Sequence, residues 1–395
     1  MANETNNSNE QRPFISRADR LKTKEKKSHF KAKTIILRSL LVFFTVLICT
    51  LVFVFSALFV VVNGECTPLR DRLVLSAMQA SATKWLPGLF MNSETVDAIV
   101  ASSFVVNTDV ISLDEYSESL SSEQETDRWE KAIDGMIFES IRGSTFSGYV
   151  LLVKDPSRLY VGTSSDFTKN LPGINIFKMA EKENPVAIIN AGEFADPGGM
   201  GTGNNPMGLT YSKGNCVWND SAKRTFIGFD KNDRLIVTET MTKAKADELG
   251  IRDAVCFQNG NTLISNDNGN ITIHYADNNT GTAQRTSIGQ AADGTVILLV
   301  TDGRSASSLG ATRNDVIDVM IGYGAVSAGM LDGGSSSLMY YKDYYHKLEG
   351  FDEANLDQYQ RKGLINKYKA FTTPRQMPTY FCVAEENTIV SEGQE

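Results

Sequence analysis

The sequence is poor in the residues that many hydrolytic and redox centres use. It has three histidines in 395 residues, His29, His274 and His346, and no H-E-x-x-H motif. This argues against a zinc hydrolase, because such sites need closely spaced imidazole or thiolate ligands. A Ser-His-Asp triad is not excluded by count, but the G-x-S-x-G elbow that would support one is missing. We therefore expect neither a metal nor a cofactor.

Nucleotide and nucleic-acid signals are missing as well. There is no P-loop, and the glycines at 198–203 follow a predicted strand but precede no helical pattern. Residues 1–38 carry ten Lys/Arg against four Asp/Glu, a net charge of +6, so the total of −8 leaves −14 for the rest of the chain. An acidic remainder without a basic and aromatic stripe argues against nucleic-acid binding.

Cysteine is sparse, with five residues and no C-x-x-C motif. Cys49 lies in an apolar run. Cys66, Cys216, Cys256 and Cys382 allow two disulfides in three connectivities, and the sequence does not choose between them. Buried free thiols are an equal alternative.

One long uncharged apolar run, Ser39–Val62, is present near the N-terminus. About two dozen apolar residues can span a bilayer core of roughly 30 Å. A cleaved signal peptide has a shorter apolar core and a small-residue cleavage site, and residues 62–65 form a poor one. The basic residues that precede the run should stay in the cytoplasm. The sequence thus predicts a disordered basic cytoplasmic tail at 1–38, a single transmembrane helix at 39–62 and an extracytoplasmic remainder in the cell membrane.

The composition of residues 63–395 changes along the chain and suggests three further segments. Residues 63–140 are predicted to form a helical stalk, broken at Pro87-Gly88, and an acidic linker. Residues 141–386 are predicted to form a mixed α+β domain around a substantial β-sheet, and 387–395 a tail. The predicted strands are Tyr149–Val153, Val186–Asn190, Thr225–Phe229, Leu235–Thr238, Ile271–Tyr275, Thr295–Val300 and Pro378–Val383. The predicted helices are Gly173–Lys182, Thr242–Gly250 and Asn314–Tyr323.

Two apolar runs end in an aspartate next to glycine. Thr295–Val300 leads to Asp302, and Ala325–Leu331 leads to Asp332 followed by Gly333-Gly334-Ser335. Carboxylates at strand ends, where the backbone can approach a ligand closely, are common in active sites. An Asp-Gly pair is also an ordinary turn, so each half of this pattern is weak alone.

A third strand, Val186–Asn190, runs into Ala191-Gly192-Glu193-Phe194 and an irregular loop at 196–206 that is rich in glycine. The acidic remainder repels anions at long range, so phosphate recognition would need particular arginines with bidentate geometry. Gly333-Gly334-Ser335 could add an anion-binding nest of backbone N–H groups.

Together these stretches resemble the phosphodiester glycosidase family over roughly residues 148–385. The matching pieces, in order, are IINAGEF (188–194), PMGL (206–209), QRTSIGQ (284–290), VTDGR (300–304), MLDGGSSSLMY (330–340) and TPRQMPTYFCV (373–383). The resemblance implies hydrolysis of a sugar-1-phosphodiester, typically one of α-linked N-acetylglucosamine. The partner is then a phosphorylated glycan or sugar phosphate, in cell-surface or exopolysaccharide metabolism; the oligomeric state stays open.

The resemblance also suggests roles. Asp332 is expected at the anomeric carbon, with Asp302 or Glu193 as the second catalytic carboxylate. Many relatives have an aromatic residue where Glu193 stands, so Glu193 is either an added catalytic carboxylate or a structural feature of a subgroup. Asn190 is expected to hydrogen-bond the sugar or phosphate.

Three arginines lie in the matching pieces. Arg304, with Arg285 or Arg375, is expected to hold the phosphate. Two alternatives remain open. One is a non-hydrolytic module that binds sugar phosphate or polysaccharide in envelope assembly, and the other is a plain glycoside hydrolase indifferent to phosphate.

Overall fold

The computed structural model describes residues 17–64, 67–78, 83–102, 106–120, 128–196, 202–220, 222–276, 281–303, 305, 308–347, 354, 356–366, 368 and 373–386. The chain divides into two units, Met1–Glu65 and Cys66–Glu395. In the first unit, helix α1 spans Arg17–Asn63. Its segment Ile35–Asn63 is long and apolar enough to cross a membrane, a test that a signal sequence also passes.

Residues 17–33 are helical in α1, so the prediction of disorder is wrong for them. The stretch contains neither glycine nor proline and is rich in lysine, a good helix former. It can therefore extend the apolar helix toward the N-terminus. Residues 1–16 lie outside the described part of the chain.

The second unit contains six further α-helices and seventeen strands among its described residues. The helices are α2 Thr67–Met78, α3 Ser93–Ser102, α4 Leu113–Leu120, α5 Ile176–Glu183, α6 Lys243–Leu249 and α7 Arg313–Gly322. The strands are β1 Val106–Ser112, β2 Met136–Arg142, β3 Ser147–Val153, β4 Leu159–Thr163, β5 Ala187–Asn190, β6 Thr210–Ser212, β7 Asn215–Trp218, β8 Arg224–Asp230, β9 Leu235–Thr238, β10 Ile251–Gln258, β11 Thr262–Asp267, β12 Asn270–Ala276, β13 Thr286–Ala291, β14 Val296–Thr301, β15 Ala325–Met330, β16 Met339–Tyr341 and β17 Thr379–Val383.

The strands form three antiparallel sheets. The large sheet has the order β1-β12-β11-β15-β13-β14-β3-β2, a second β7-β6-β10-β8-β9, and a third β16-β5-β17-β4. The central strands are buried along their length, and all six residues of β14 are buried. This burial fits strands that are covered on both faces.

The core lies between the large sheet and the two smaller ones. At Gly329 of β15 an added Cβ would meet Ile227 of β8, whereas at Gly289 of β13 it would meet Met320 of α7. The large sheet thus has the smaller sheets on one face and α7 on the other. A capping box, Thr312 with Asp315, sets the start of α7. The fold is α+β, as the sequence predicted.

The predicted strands and helices of the domain all overlap observed ones. Several strands were missed, including β10 and β13, because their glycine, glutamine and charged residues hide the alternation that marks a strand. The helices predicted upstream are present as α2 and α3, with a 3-10 turn at Pro87–Leu89 between them.

The first part of the predicted acidic linker is a helix, so the prediction is wrong for that part. Leu113–Leu120 is helix α4, and its Tyr116 is buried and donates a hydrogen bond to the Ala325 carbonyl at 2.9 Å. The large sheet also begins upstream of the predicted boundary at 141, since β2 starts at Met136 and pairs with β3. The polar composition of these segments concealed their helix and strand, because elements at the edge of a sheet bury only a few side chains.

Candidate active site

The large sheet brings two aspartates to one edge. β14 and β15 flank β13 and both run antiparallel to it, so their C-terminal ends meet where β13 begins. Asp302 follows β14 and Asp332 follows β15. Because neighbouring strands lie ~4.8 Å apart, the two backbones are separated by about 10 Å. The end of β5 joins the same edge, where Ala191 O accepts the Asp332 N–H at 3.0 Å.

Asp332 carries the most informative carboxyl group of this edge. Its side chain keeps some contact with solvent, yet the carboxyl lies among protein atoms. Burial raises the pKa of Asp332 to about 6, and the negative charge of Glu193 adds to the rise. A hydrogen bond with Ser336, the positive charge of Arg375 and the Gly333 N–H lower the pKa and limit the rise. A carboxyl that titrates near neutrality can exchange protons at physiological pH.

Glu193 is the second carboxylate of the cluster. Burial raises the pKa of Glu193, while Arg224, a hydrogen bond with Gln258 and the charge of Lys84 act in the opposite direction. The Arg224 Nε lies 2.6 Å from a Glu193 carboxylate oxygen, without the alignment of a hydrogen bond. The pair is therefore a close ion pair, and it holds a second positive charge beside the site.

Arg375 supplies the first positive charge. One guanidinium nitrogen donates to Ser336 Oγ at 3.2 Å and another to Asp196 Oδ2 at 2.8 Å. The guanidinium lies over the ring of Phe194, 5.8 Å from its centroid. Ser336 also helps to lower the pKa of the Asp332 carboxyl, so it lies between the arginine and that carboxyl group.

Asn190 supports the backbone of the site. It is fully buried, its Oδ1 accepts the Thr286 hydroxyl at 2.8 Å and the Leu338 N–H at 3.0 Å, and its Nδ2 donates to the Asp332 carbonyl at 2.6 Å. Asn190 was expected to contact the sugar or phosphate, and the structure gives its side chain these three partners within the protein. Asn190 thus fixes the backbone that carries the carboxylate.

Asp302 points to the neighbouring strand. Its Oδ2 accepts the Ser147 hydroxyl at 3.0 Å and the Tyr149 hydroxyl at 3.3 Å, both on β3. The sequence left Asp302 and Glu193 open as the second carboxylate. The structure brings Glu193 close enough to Asp332 for their charges to interact.

The other two predicted phosphate ligands are Arg285 and Arg304. Arg285, which was expected to hold the phosphate, is buried and donates to the backbone carbonyls of Ala311 at 3.1 Å and Gly281 at 2.6 Å. Arg285 connects these two loops, since a buried guanidinium needs hydrogen-bond acceptors and finds them in the backbone carbonyls. Arg304 lies outside the described residues.

Two N–H groups of the predicted anion nest have acceptors within the protein. The Gly333 N–H serves the Asp332 carboxyl, and the Gly334 N–H donates to the Gln284 carbonyl at 2.9 Å. Ser335 is exposed, and its carbonyl accepts the Tyr368 hydroxyl at 3.3 Å. The two glycine N–H groups thus have acceptors within the protein, and the nest stays a prediction.

Sequence reasoning missed several members of the cluster. Ser336 stood in a recognised motif, and Asp196 directly follows the β5 corner, so both had a positional signal. Arg224, at the start of β8, and Lys84, upstream of the domain, had none. Only the packing of distant segments reveals them.

Two further observations delimit the site. A cavity of about 350 Å³ lies between α7 and the β2–β3 hairpin, lined in part by Arg142, Phe146 and Tyr323, and it shares no lining residue with the Asp332 cluster. The described part of the chain contains no group of three or more His, Cys, Asp or Glu residues arranged to hold a metal. Cys216, Cys256 and Cys382 are free thiols, and Cys66 lies outside the described residues.

Comparisons with known proteins identify relatives of this chain. A family model described as phosphodiester glycosidase matches residues 183–384, just over half of the chain. An uncharacterized SPbeta prophage-derived protein, YomE, of Bacillus subtilis (strain 168) is 28% identical over 192 residues, which is 46% of this chain and 27% of the relative. The match therefore spans only about a quarter of that relative's length.

Solved structures with a similar fold share little sequence. The catalytic domain of zebrafish N-acetylglucosamine-1-phosphodiester alpha-N-acetylglucosaminidase, auto-inhibited by its pro-peptide, is 16% identical, with a TM-score of 0.47, covering 72% of this chain and 90% of that one. A putative exported protein of Burkholderia pseudomallei K96243 is 15% identical, with a TM-score of 0.39, covering 60% of this chain and 74% of that one.

Proposed function

The chain belongs to the phosphodiester glycosidase family, and on this basis we propose that it hydrolyses a sugar-1-phosphodiester. The observation that carries the proposal is the Asp332 carboxyl, whose pKa burial raises to about 6, set between a second carboxylate and an arginine. An α-N-acetylglucosaminyl phosphodiester is the first substrate to test.

The carboxylates provide the chemistry at the sugar. Cleavage at an anomeric carbon passes through an oxocarbenium-like state, which a carboxylate can stabilise while a second group activates water. Asp332 takes the position at the anomeric carbon, because its backbone is fixed by Asn190 and Ala191. Glu193 acts as the second carboxylate, and its raised pKa suits a group that accepts a proton from water.

The arginine provides charge neutralisation at the leaving group. A phosphate that leaves is already a weak base, so it depends more on positive charge than on a general acid. Arg375 is oriented for this task by Ser336 and Asp196, and its planar fork suits phosphate oxygens. Arg224 adds positive charge on the Glu193 side.

The apolar segment of α1 suggests where the reaction takes place. We propose that Ile35–Asn63 anchors the chain in the cell membrane, with Cys66–Glu395 outside the cytoplasm. The basic residues that precede the segment favour this orientation. The substrate would then be a cell-surface or exported glycan that carries phosphodiesters.

The experiment is a product assay on the full chain in detergent, with α-N-acetylglucosaminyl methyl phosphate as substrate. Wild type should release free N-acetylglucosamine, and Asp332→Asn should release at least about 100-fold less, the lower range for loss of a group that stabilises charge in the transition state. Asp97→Asn, the same change on the exposed face of α3, serves as the control.

Turnover by Asp332→Asn within a few-fold of wild type would remove Asp332 from the mechanism. Tight binding of the sugar phosphate without release of sugar by wild type would favour a binding module over an enzyme. Equal rates on a phosphodiester and an uncharged glycoside would favour a plain glycoside hydrolase.

A further inference from the structure

The cavity between α7 and the β2–β3 hairpin has two well-defined walls. The helix wall consists of residues spaced i, i+3, i+4 and i+7, a spacing that places them on one face of a helix. They are Asp315, Asp318, Val319 and Gly322. The hairpin wall is formed by residues 141–144 and Phe146, and Tyr323 also lines the cavity. Its volume of about 350 Å³ is at the small end of the range of about 300–1,000 Å³ for small-molecule sites, so it suits a ligand of one or two rings.

The two aromatic rings that line the cavity are held in place by the protein. The Phe146 ring lies against Gly143 of its own turn, where an added Cβ would be 2.1 Å from the ring. The Tyr323 hydroxyl donates to Glu139 Oε2 at 2.5 Å, and the Arg128 guanidinium lies over the tyrosine ring, 5.5 Å from its centroid. Because both rings are already fixed, a ligand that packs against them loses little binding free energy to the ordering of side chains.

Polar groups of both signs line the same cavity. Asp315 Oδ2 accepts the N–H and the hydroxyl of Thr312, each at 2.7 Å, and Asp318 Oδ1 accepts the Tyr275 hydroxyl at 2.6 Å. These bonds use one oxygen of each carboxylate, so the second oxygen can accept from a ligand. Arg142 is exposed, and its guanidinium supplies donors. The cavity thus combines fixed acceptors, donors and aromatic carbon.

This combination favours one class of ligand. An apolar ligand would remove water from the charged groups without replacing the lost hydrogen bonds. An anion would meet two carboxylates against one guanidinium and be repelled. A metal ion would need a further ligand, and no group of three His, Cys, Asp or Glu residues is arranged for one in the part of the chain that the structure describes. A neutral sugar fits, since its hydroxyls donate to carboxylates and accept from a guanidinium, and its C–H faces pack against aromatic rings.

We propose that this cavity binds a neutral sugar residue of a glycan and is a second carbohydrate site, separate from the Asp332 cluster. The inference goes beyond the proposed function, because it requires no chemistry at Asp332. The hairpin wall continues directly into β3, where the hydroxyl of Ser147, the residue after Phe146, donates to Asp302 at 3.0 Å. A glycan bound in the cavity would therefore be held near the sheet edge that carries the candidate active site.

Gly322 offers a variant that fills the cavity and leaves its walls in place. An added Cβ at Gly322 meets no protein atom within 4 Å, so a leucine at this lining position would occupy open space. Leucine is also a better helix former than glycine, and Gly322 is the last residue of α7. Thermal unfolding of Gly322→Leu should therefore occur at the same temperature as in wild type or a higher one. Gly88→Leu is the matched control, because an added Cβ at Gly88 is equally unobstructed and Gly88 does not line the cavity.

The experiment is an NMR titration of the full chain in a detergent without a sugar headgroup. The probes are three neutral disaccharides, N,N′-diacetylchitobiose, maltose and lactose. Wild type and Gly88→Leu should bind at least one of them, and Gly322→Leu should bind it at least about 10-fold more weakly. Arg142→Gln removes donors without filling the cavity, and it should weaken binding roughly 3- to 10-fold, as loss of one hydrogen bond requires.

Several results would overturn the inference. They are no binding of any of the three disaccharides by wild type, equal affinity in wild type and Gly322→Leu, or an equal loss in Gly88→Leu. Binding of inorganic phosphate that only Gly322→Leu abolishes would show an anion site instead. If Gly322→Leu is unstable, Arg142→Gln decides, since unchanged affinity in that variant refutes the role of the cavity.

Activity is measured separately. Gly322→Leu should hydrolyse α-N-acetylglucosaminyl methyl phosphate as wild type does, because the cavity shares no lining residue with the Asp332 cluster. If wild type does not hydrolyse this substrate, the proposed function fails, while the disaccharide titration still decides the sugar site.

Discussion

Replacing Asp332 by asparagine should increase stability at the same time as it removes activity. Burial raises the pKa of this carboxyl to about 6, from an ordinary 3.8. The folded protein therefore binds a proton at Asp332 more tightly than the unfolded chain does. As the pH rises from about 4 to about 6, wild type loses stability, because the ionised form is disfavoured in the folded state.

The magnitude follows from the shift. Each pKa unit corresponds to about 1.4 kcal/mol, so a rise of roughly two units costs up to about 3 kcal/mol. Partial contact with solvent reduces this, and we expect about 1–3 kcal/mol above pH 7. Asparagine cannot ionise and can still accept hydrogen bonds from Ser336 and Gly333. The variant should thus be the more stable protein above pH 7, and its advantage should shrink toward pH 4.

Thermal unfolding of the full chain in one detergent, measured from pH 4 to pH 8, checks this prediction. The expected difference in Tm is about 2–6 °C at high pH, with Asp97→Asn as the control that shows no such trend. A difference between Asp332→Asn and wild type that does not change with pH would show that burial of the Asp332 charge is not the cause.

Three further variants test the rest of the cluster. Arg375→Gln should raise KM for the diester by roughly 10- to 100-fold and spare an uncharged glycoside, as a loss of about 1.4–2.7 kcal/mol of anion binding requires; steady-state kinetics on both substrates would expose an error if the two losses were equal. Glu193→Gln should lower kcat. It should also move the limb of the kcat/KM profile that reports Asp332 to lower pH, because the Glu193 charge raises the Asp332 pKa. A limb that stays in place would show that the two groups do not interact. Asn190→Ala should destabilise the fold by about 2–4 kcal/mol, since three buried hydrogen bonds are lost. Urea unfolding measures that loss, and a value below about 1 kcal/mol would contradict the bracing role.

The candidate site was predictable in part. Asp332 and Arg375 stand in motifs that are contiguous in sequence, and the strand ends that carry the two aspartates could be inferred from apolar runs. The roles of Asn190 and Arg285 could not, because the same polar residue next to a strand can face a ligand or the interior. Only its partners decide, and here those partners are the Thr286 hydroxyl and backbone carbonyls.

The sequence by itself determined the local and composition-driven features of this protein. These include the apolar segment of α1, the strands rich in β-branched residues, the capped helix α7 and the family motifs, all of which depend on residues near one another in the chain. The tertiary structure alone decided which distant groups meet. It joined Arg224 to Glu193 and turned Asp302 toward β3. The physical reason is that antiparallel strand pairing and the packing of layers determine which way each side chain faces. Both depend on residues that are far apart in the chain.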